Sequence, residues 1–279
     1  MRVDAHHHVW DLSVRDQDWI TGPALAPLRR DFGVADLEPL ARAAGVERTV
    51  LVQTVTVPEE TPELLALAAE HELIGAVVGW TDLTSPGVTD ELDRLRALPG
   101  GRYLRGVRHQ VQGEPDPRWL LRDDVLEGLA AVAAAGLVYD LVVLDHQLPA
   151  CREAAAAVPG LTFVLDHLGK PPVASGRLEP WASSVRDLAA LPNTVCKLSG
   201  LVTEADRDTW SAAELRPYAD TVLDAFGPDR LMFGSDWPVC TLAAPYGRVV
   251  DVTTELVAEL DAHERARVLG GTAARVYRL

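Results

Sequence analysis

Eight short apolar runs, rich in β-branched residues, alternate with eight Ala- and Leu-rich stretches along the 279-residue chain. The apolar runs lie near 2–8, 48–55, 73–80, 103–110, 137–144, 161–167, 194–199 and 230–235. The helical stretches lie near 34–44, 60–71, 88–98, 122–135, 149–157, 179–190, 213–226 and 248–260. Strand–helix alternation implies parallel strands joined by crossovers. Eight such pairs fit a closed barrel better than an open doubly wound sheet. The fifth and sixth runs, Leu141-Val-Val-Leu144 and Leu161-Thr-Phe-Val-Leu165, are almost continuously apolar, as strands covered on both faces should be. A dinucleotide-binding sheet needs a glycine-rich turn after its first strand, and His6-His-His-Val-Trp10 stands there instead. The expected fold is therefore α/β, a single (β/α)8 TIM barrel, with residues 1–279 as one domain and no internal repeat or linker.

In such a barrel, active sites sit at the C-terminal ends of the strands, so polar residues there carry the information. The first run ends in His6-His-His8. Side chains alternate along a strand, which places Asp4, His6 and His8 on one face and His7 on the other. Two imidazoles on one face can share a cation or a reacting group. Run four ends Gly106-Val-Arg-His-Gln110. Arg108 in an apolar strand needs an anion or a carbonyl, either on a substrate or on a neighbouring loop. Run six ends Asp166-His-Leu-Gly-Lys-Pro171, where His167 is a candidate ligand or base. Lys197, inside run seven, requires a partner, either a substrate oxygen or a barrel carboxylate. Run eight ends Phe233-Gly-Ser-Asp-Trp-Pro238, with Asp236 where the strand stops.

Together these residues fall at one end of the expected barrel. A carboxylate among imidazoles can take a proton from water, directly or from a metal-bound water. Arg and Lys can hold substrate oxygens and the charge that develops on an attacked carbonyl. No G-x-S-x-G nucleophile elbow is present, which favours water as the nucleophile.

A net charge of −15 argues against a nucleic-acid partner, whose phosphates call for Lys and Arg. No stretch approaches the apolar length of a membrane span, and no signal segment is recognisable. Cys151, Cys196 and Cys240 contain no close-spaced ligand pair and read as buried thiols in a reducing compartment. A cytoplasmic protein is expected, acting on a small-molecule substrate. A homo-oligomer is compatible with the chain.

The segments Val3-Asp-Ala-His-His-His-Val-Trp10, Leu104-Arg-Gly-Val-Arg-His109, Leu165-Asp-His-Leu-Gly-Lys-Pro171, Cys196-Lys-Leu-Ser-Gly200 and Met232-Phe-Gly-Ser-Asp-Trp-Pro238 follow one another over nearly the whole chain. They resemble the amidohydrolase superfamily (amidohydrolase-related family 2), and within it the sugar-lactone hydrolases: fuconolactonases, rhamnonolactonases and pyrone-dicarboxylate lactonases. The resemblance implies metal-ligand-type roles for His6 and His8, an active-site role for His167, a general-base role for Asp236 and substrate contact for Arg108. The better-known metal-dependent members carry a histidine or modified lysine at the end of strand five. Here that strand reads Gly136-Leu-Val-Tyr-Asp-Leu-Val-Val-Leu144, so at most one divalent ion is expected, zinc first. Its ligands would be His6, His8 and Asp236, joined by His167, and some lactone-cleaving members of the branch work without metal.

The resulting expectation is a lactonase of carbohydrate catabolism, metal-assisted or metal-independent. Asp236 and His167 are its catalytic candidates, and Arg108, Lys197, Trp10 and Trp237 its substrate-binding candidates. Trp10, Trp19 and Trp237 can serve as apolar faces for a sugar ring or as core and lid. The alternatives are a mononuclear-metal decarboxylase of the same superfamily and a catalytically silent sugar-acid-binding barrel.

Overall fold

The computed structural model describes residues 1–279. Eight parallel strands pair in chain order: β1 (Arg2–His7), β2 (Val46–Val52), β3 (Ile74–Gly79), β4 (Leu104–His109), β5 (Val138–Leu141), β6 (Phe163–Leu165), β7 (Thr194–Leu198) and β8 (Leu231–Phe233). The ring closes just beyond β8, where Asp236 N donates to the His6 carbonyl at 2.8 Å and His8 N donates to the Trp237 carbonyl at 2.7 Å. The fold is a single (β/α)8 barrel.

Helices α1 (Val34–Ala43), α2 (Glu60–Glu70), α3 (Val88–Ala97), α4 (Asp123–Ala134), α5 (Leu148–Ala157) and α6 (Trp181–Ala189) cover the first six strands. A short α7 (Leu201–Glu204) follows β7, and then come α8 (Ala212–Phe226), α9 (Tyr246–Leu256), α10 (Ala262–Ala266) and α11 (Thr272–Tyr277). The ends of α8 show why the chain turns helical there. Ser211 caps the first turn by accepting from Glu214 N, and Gly227, at φ 68°, ends the helix. No helix is long and apolar enough to cross a membrane. Cys151, Cys196 and Cys240 are free and buried.

Two apolar layers hold the barrel. One lies between strands and helices, and the other fills the interior with Val3, Ala5, Val50, Val52, Ala76, Val78, Val138, Val164, Val195 and Met232. Each fully buried valine contributes about 1.5–3 kcal/mol relative to exposure. The C-terminal helix closes the lower mouth, packing Ala273, Val276 and Tyr277 against this plug.

Strand boundaries match the apolar runs to within a few residues, with one instructive exception. The run 141–144 leaves the ladder after Leu141, which pairs with Leu165. Val142 and Val143 are nevertheless buried, so solvent exclusion beneath the loops, rather than strand pairing, accounts for their character.

The expected alternation in β1 also fails. Val3 and Ala5 face the interior, while Asp4 points outward and accepts from Ser235 N at 2.8 Å and from Tyr246 Oη at 3.0 Å. The pairing with β2 shifts register between Asp4 and His7, a bulge that turns His6 inward directly after Ala5. Asp4 therefore does not share a face with His6 and His8. It ties β1 to the loop after β8 instead.

Candidate active site

Above the valine plug lies a buried ionic layer built from five strands or strand ends. Lys197 Nζ on β7 is 2.5 Å from Asp140 Oδ2 on β5, 3.0 Å from Asp166 Oδ1 after β6 and 3.1 Å from His6 Nδ1 on β1. Arg108 on β4 donates through Nη1 to Asp166 Oδ2 at 2.9 Å and through Nε to Gln53 Oε1 at 3.1 Å. Burial raises both carboxyls, and the cations oppose it. At Asp166, Lys197, His6 and Arg108 together win and hold the group well below the usual range; at Asp140 burial wins. Tyr277 Oη donates to Asp140 from below, at 3.0 and 2.9 Å from the two oxygens.

Three imidazoles and one carboxylate converge on this layer. His6 Nε2 is 3.1 Å from His8 Nε2, and Asp236 Oδ1 is 3.8 Å from His6 Nε2, 3.6 Å from His8 Nε2 and 3.9 Å from His167 Nε2. Local backbone geometry aims these groups. His167, Leu168, Gly169 and Lys170 form a left-handed run (φ 53°, 55°, 69° and 53°), and Asp236 stands alone at φ 59°. Left-handed non-glycine residues cost about 1–3 kcal/mol each and persist where packing over-determines them. Gly200, also left-handed, lets the chain pass His167: a Cβ there would lie 2.7 Å from His167 Nδ1.

Tautomers follow from the neighbours. A carbonyl can only accept, so His8 Nδ1 donates to Val52 O at 2.8 Å, leaving Nε2 for the centre. His167 Nδ1 is 2.9 Å from Ser199 Oγ. Burial lowers the His167 imidazole to about 4 and, helped by Lys197, takes His6 well below its ordinary value. Burial also pushes the Asp236 carboxyl up, but the neighbouring His167 and His8 and the field of Lys170 outweigh it, and the group ends below the usual carboxylate range.

The donor set fits one small divalent cation. Tetrahedral coordination with metal–nitrogen bonds of about 2.1 Å places ligand atoms about 3.4 Å apart, within the spread seen here. His6, His167 and Asp236 offer ligand atoms within 4.8 Å of one another. Asp166 Oδ1, 3.0 Å from Lys197 Nζ, also lies 3.4 Å from His6 Nδ1. A proton on that nitrogen would point at the carboxylate and turn the Nε2 lone pair to the centre, the usual carboxylate–histidine support for a metal. Arg108 Nη1 also reaches His6 Nε2, at 3.3 Å, and competes for the same lone pair.

A cavity of about 330 Å³ opens above these groups, with His8, Arg108, His167 and Asp236 at its floor. Of the sequence candidates, His6, His8, His167, Asp236, Arg108 and Lys197 come together. Lys197 is a correction to substrate binding: it is wholly shielded beneath the cavity and bonded to barrel groups. Trp10 and Trp237 do not line the cavity either. Both pack edge-on against Phe32 behind β1, at ring distances of 5.2 and 5.5 Å, whereas Trp19 reaches the wall. Trp10 is further anchored there by its Nε1, which donates to the Arg30 carbonyl at 2.7 Å. Asp140, Asp166 and Gln53 were not anticipated. Asp140 carried the same signal as Lys197, a lone charge in an apolar strand.

The amidohydrolase family profile matches residues 3–279. An L-fucono-1,5-lactonase of Burkholderia multivorans is 43% identical, over 100% of this chain and 96% of that protein. An L-fucono-1,5-lactonase of Burkholderia ambifaria is 41% identical, over 100% and 96%. A crystal structure of an amidohydrolase from Burkholderia multivorans with bound zinc superposes with a TM-score of 0.93 at 42% identity, covering 100% of this chain and 99% of that one.

Proposed function

Because the chain belongs to the amidohydrolase family, we propose that it is a lactonase that opens sugar lactones by water attack on the ring carbonyl, with L-fucono-1,5-lactone the first substrate to test. The observation that carries the reading is Asp236 Oδ1, a carboxylate at a cavity floor within 3.9 Å of three imidazole nitrogens. Full-length similarity to two lactonases favours this reading over decarboxylation or silent binding.

In this reading Asp236 takes a proton from a water as the water oxygen bonds to the carbonyl carbon. The tetrahedral adduct then collapses, its bond to the ring oxygen breaks, and that oxygen leaves with the proton Asp236 had taken. The product is the open hydroxy acid. Arg108 borders the carbonyl oxygen and opposes the charge that develops on it. His167, held on Ser199, orients the floor beside Asp236.

His6, His8, His167 and Asp236 are the residues that would hold a metal, zinc by the donor set. When bound, such an ion supplies Lewis acidity at the carbonyl or lowers the pKa of a bound water. We assign residues 1–279 to one catalytic domain, working on a small molecule in the cytoplasm. Turnover of an aldonolactone panel followed with a pH indicator tests the reading. Release of acid from L-fucono-1,5-lactone or a close relative is the expected result, and no turnover of any sugar lactone would overturn it.

A further inference from the structure

Most polar side chains around the cavity are already committed. Arg108 is held by Gln53 and Asp166, Gln110 donates to the Thr54 carbonyl, Thr203 to the Gly200 carbonyl and Arg207 to the Ala24 carbonyl. Two charged residues are not. Lys170 and Glu204 line the cavity, are half-buried, and form no side-chain hydrogen bond or ion pair with each other or with any other group.

Both stand on segments that already serve the reacting end. Lys170 closes the left-handed run that begins at His167, with its backbone N donating to the His167 carbonyl at 2.8 Å. Glu204 ends α7, which starts at the glycine packed on the His167 ring. Burial raises the Glu204 carboxyl, and among the charges acting on it Lys170 is the strongest that opposes the rise, with Asp236 adding to it. The two residues line the same cavity as the base, Asp236.

Holding a carboxylate and an ammonium partly out of water without partners is costly, and a ligand that satisfies both relieves the cost. The sign of each charge limits what that ligand can be. A carboxylate only accepts hydrogen bonds and an ammonium only donates them. An anionic substrate would suit Lys170 and be repelled by Glu204, and a cation would do the reverse. A hydroxyl donates and accepts, and adjacent hydroxyls on one ring can serve both residues at once.

Resting on the lactone reading, we propose that Glu204 and Lys170 are the specificity-determining pair that reads the ring hydroxyls of a neutral polyhydroxylated lactone, Glu204 accepting from them and Lys170 donating to them. Hydrogen bonds to charged groups contribute about 1.5–3 kcal/mol, or about 10- to 100-fold in selectivity.

The test compares L-fucono-1,5-lactone with δ-valerolactone, which has the same ring size and no hydroxyls, in wild type, Glu204→Gln, Glu204→Leu and Lys170→Met. The quantity read is the preference, the ratio of the two kcat/KM values, with melting temperatures recorded for each protein. Neither residue has a partner to lose, so the variants are expected to remain folded. The wild type is expected to prefer the sugar lactone, and each variant to lose about 10- to 100-fold of that preference. Variants that slow both substrates in parallel, or keep the wild-type ratio, would overturn the assignment and leave the lactonase reading standing. A wild type that opens δ-valerolactone but no sugar lactone of the panel, or opens no lactone at all, would overturn the reading itself and the assignment with it.

Discussion

Lys197 Nζ and Asp140 Oδ2 stand 2.5 Å apart with both side chains wholly shielded from solvent. Removing one member of a buried ion pair leaves the other charged and unpaired, at a cost of about 3–5 kcal/mol. Lys197→Met is expected to lower stability by that amount, because it strips Asp140 and Asp166 together. Adding Asp140→Leu to Lys197→Met should recover part of the loss. Urea denaturation of the two variants checks this, and a double variant less stable than the single one would count against it.

Asp236→Asn keeps the shape of the side chain and removes the proton acceptor. It should lower kcat on a sugar lactone by at least about 100-fold, the lower range for a general base. Asp236 makes no structural hydrogen bond through its side chain beyond the imidazole cluster, so its melting temperature should move little. Steady-state rates and a thermal melt on the same preparation decide the matter. Wild-type turnover would transfer the role of base to His167.

The metal content should saturate at one ion per chain. Strand β5 offers Asp140, already bound to Lys197 and Tyr277, and no second ligand group. Zinc added to metal-stripped protein should raise the melting temperature, since a ligand at 100 times its Kd stabilises by about 2.7 kcal/mol. His8→Ala should weaken that shift. Elemental analysis finding two ions per chain at full occupancy would refute the single-ion site.

Glu60 offers a pH signature away from the reacting groups. Burial raises its carboxyl, against hydrogen bonds from Thr54 and Val55 and the field of Arg108, and Arg15 is the other cation that faces it. A group with a raised folded pKa contributes stability that is complete below its unfolded value and is lost as pH climbs through the folded one. Wild type minus Glu60→Gln should therefore shrink as pH rises through and above the ordinary carboxylate range. Thermal melts of both proteins across that range measure it, and a widening gap would reverse the sign of the argument.

What was legible in the chain followed local rules. Alternating apolar runs and helical stretches led to the barrel, and polar residues at strand ends pointed to His6, His8, His167, Asp236 and Arg108. What escaped depends on contacts between distant strands. Lys197 was recognisable as a residue in need of a partner, but the choice between substrate and barrel carboxylate rested on Asp140, 57 positions away. The outward turn of Asp4 depends on Ser235 and Tyr246, which capture its carboxylate and make room for the bulge. Trp10 and Trp237 carry the composition of a sugar platform, yet Phe32 supplies a nearer apolar surface for both. Glu204 left no mark in the pattern, because a glutamate at the end of a short helix reads as surface until the cavity is seen.

The C-terminal helix that stops the lower mouth, with Tyr277 reaching up to Asp140, makes the chamber a dead end. Traffic has a single doorway. The hydroxy acid must back out along the path the lactone took before the next molecule enters, so product and substrate exclude each other. Accumulating product should then act as a competitive inhibitor, and late progress curves should bend earlier than substrate depletion alone requires.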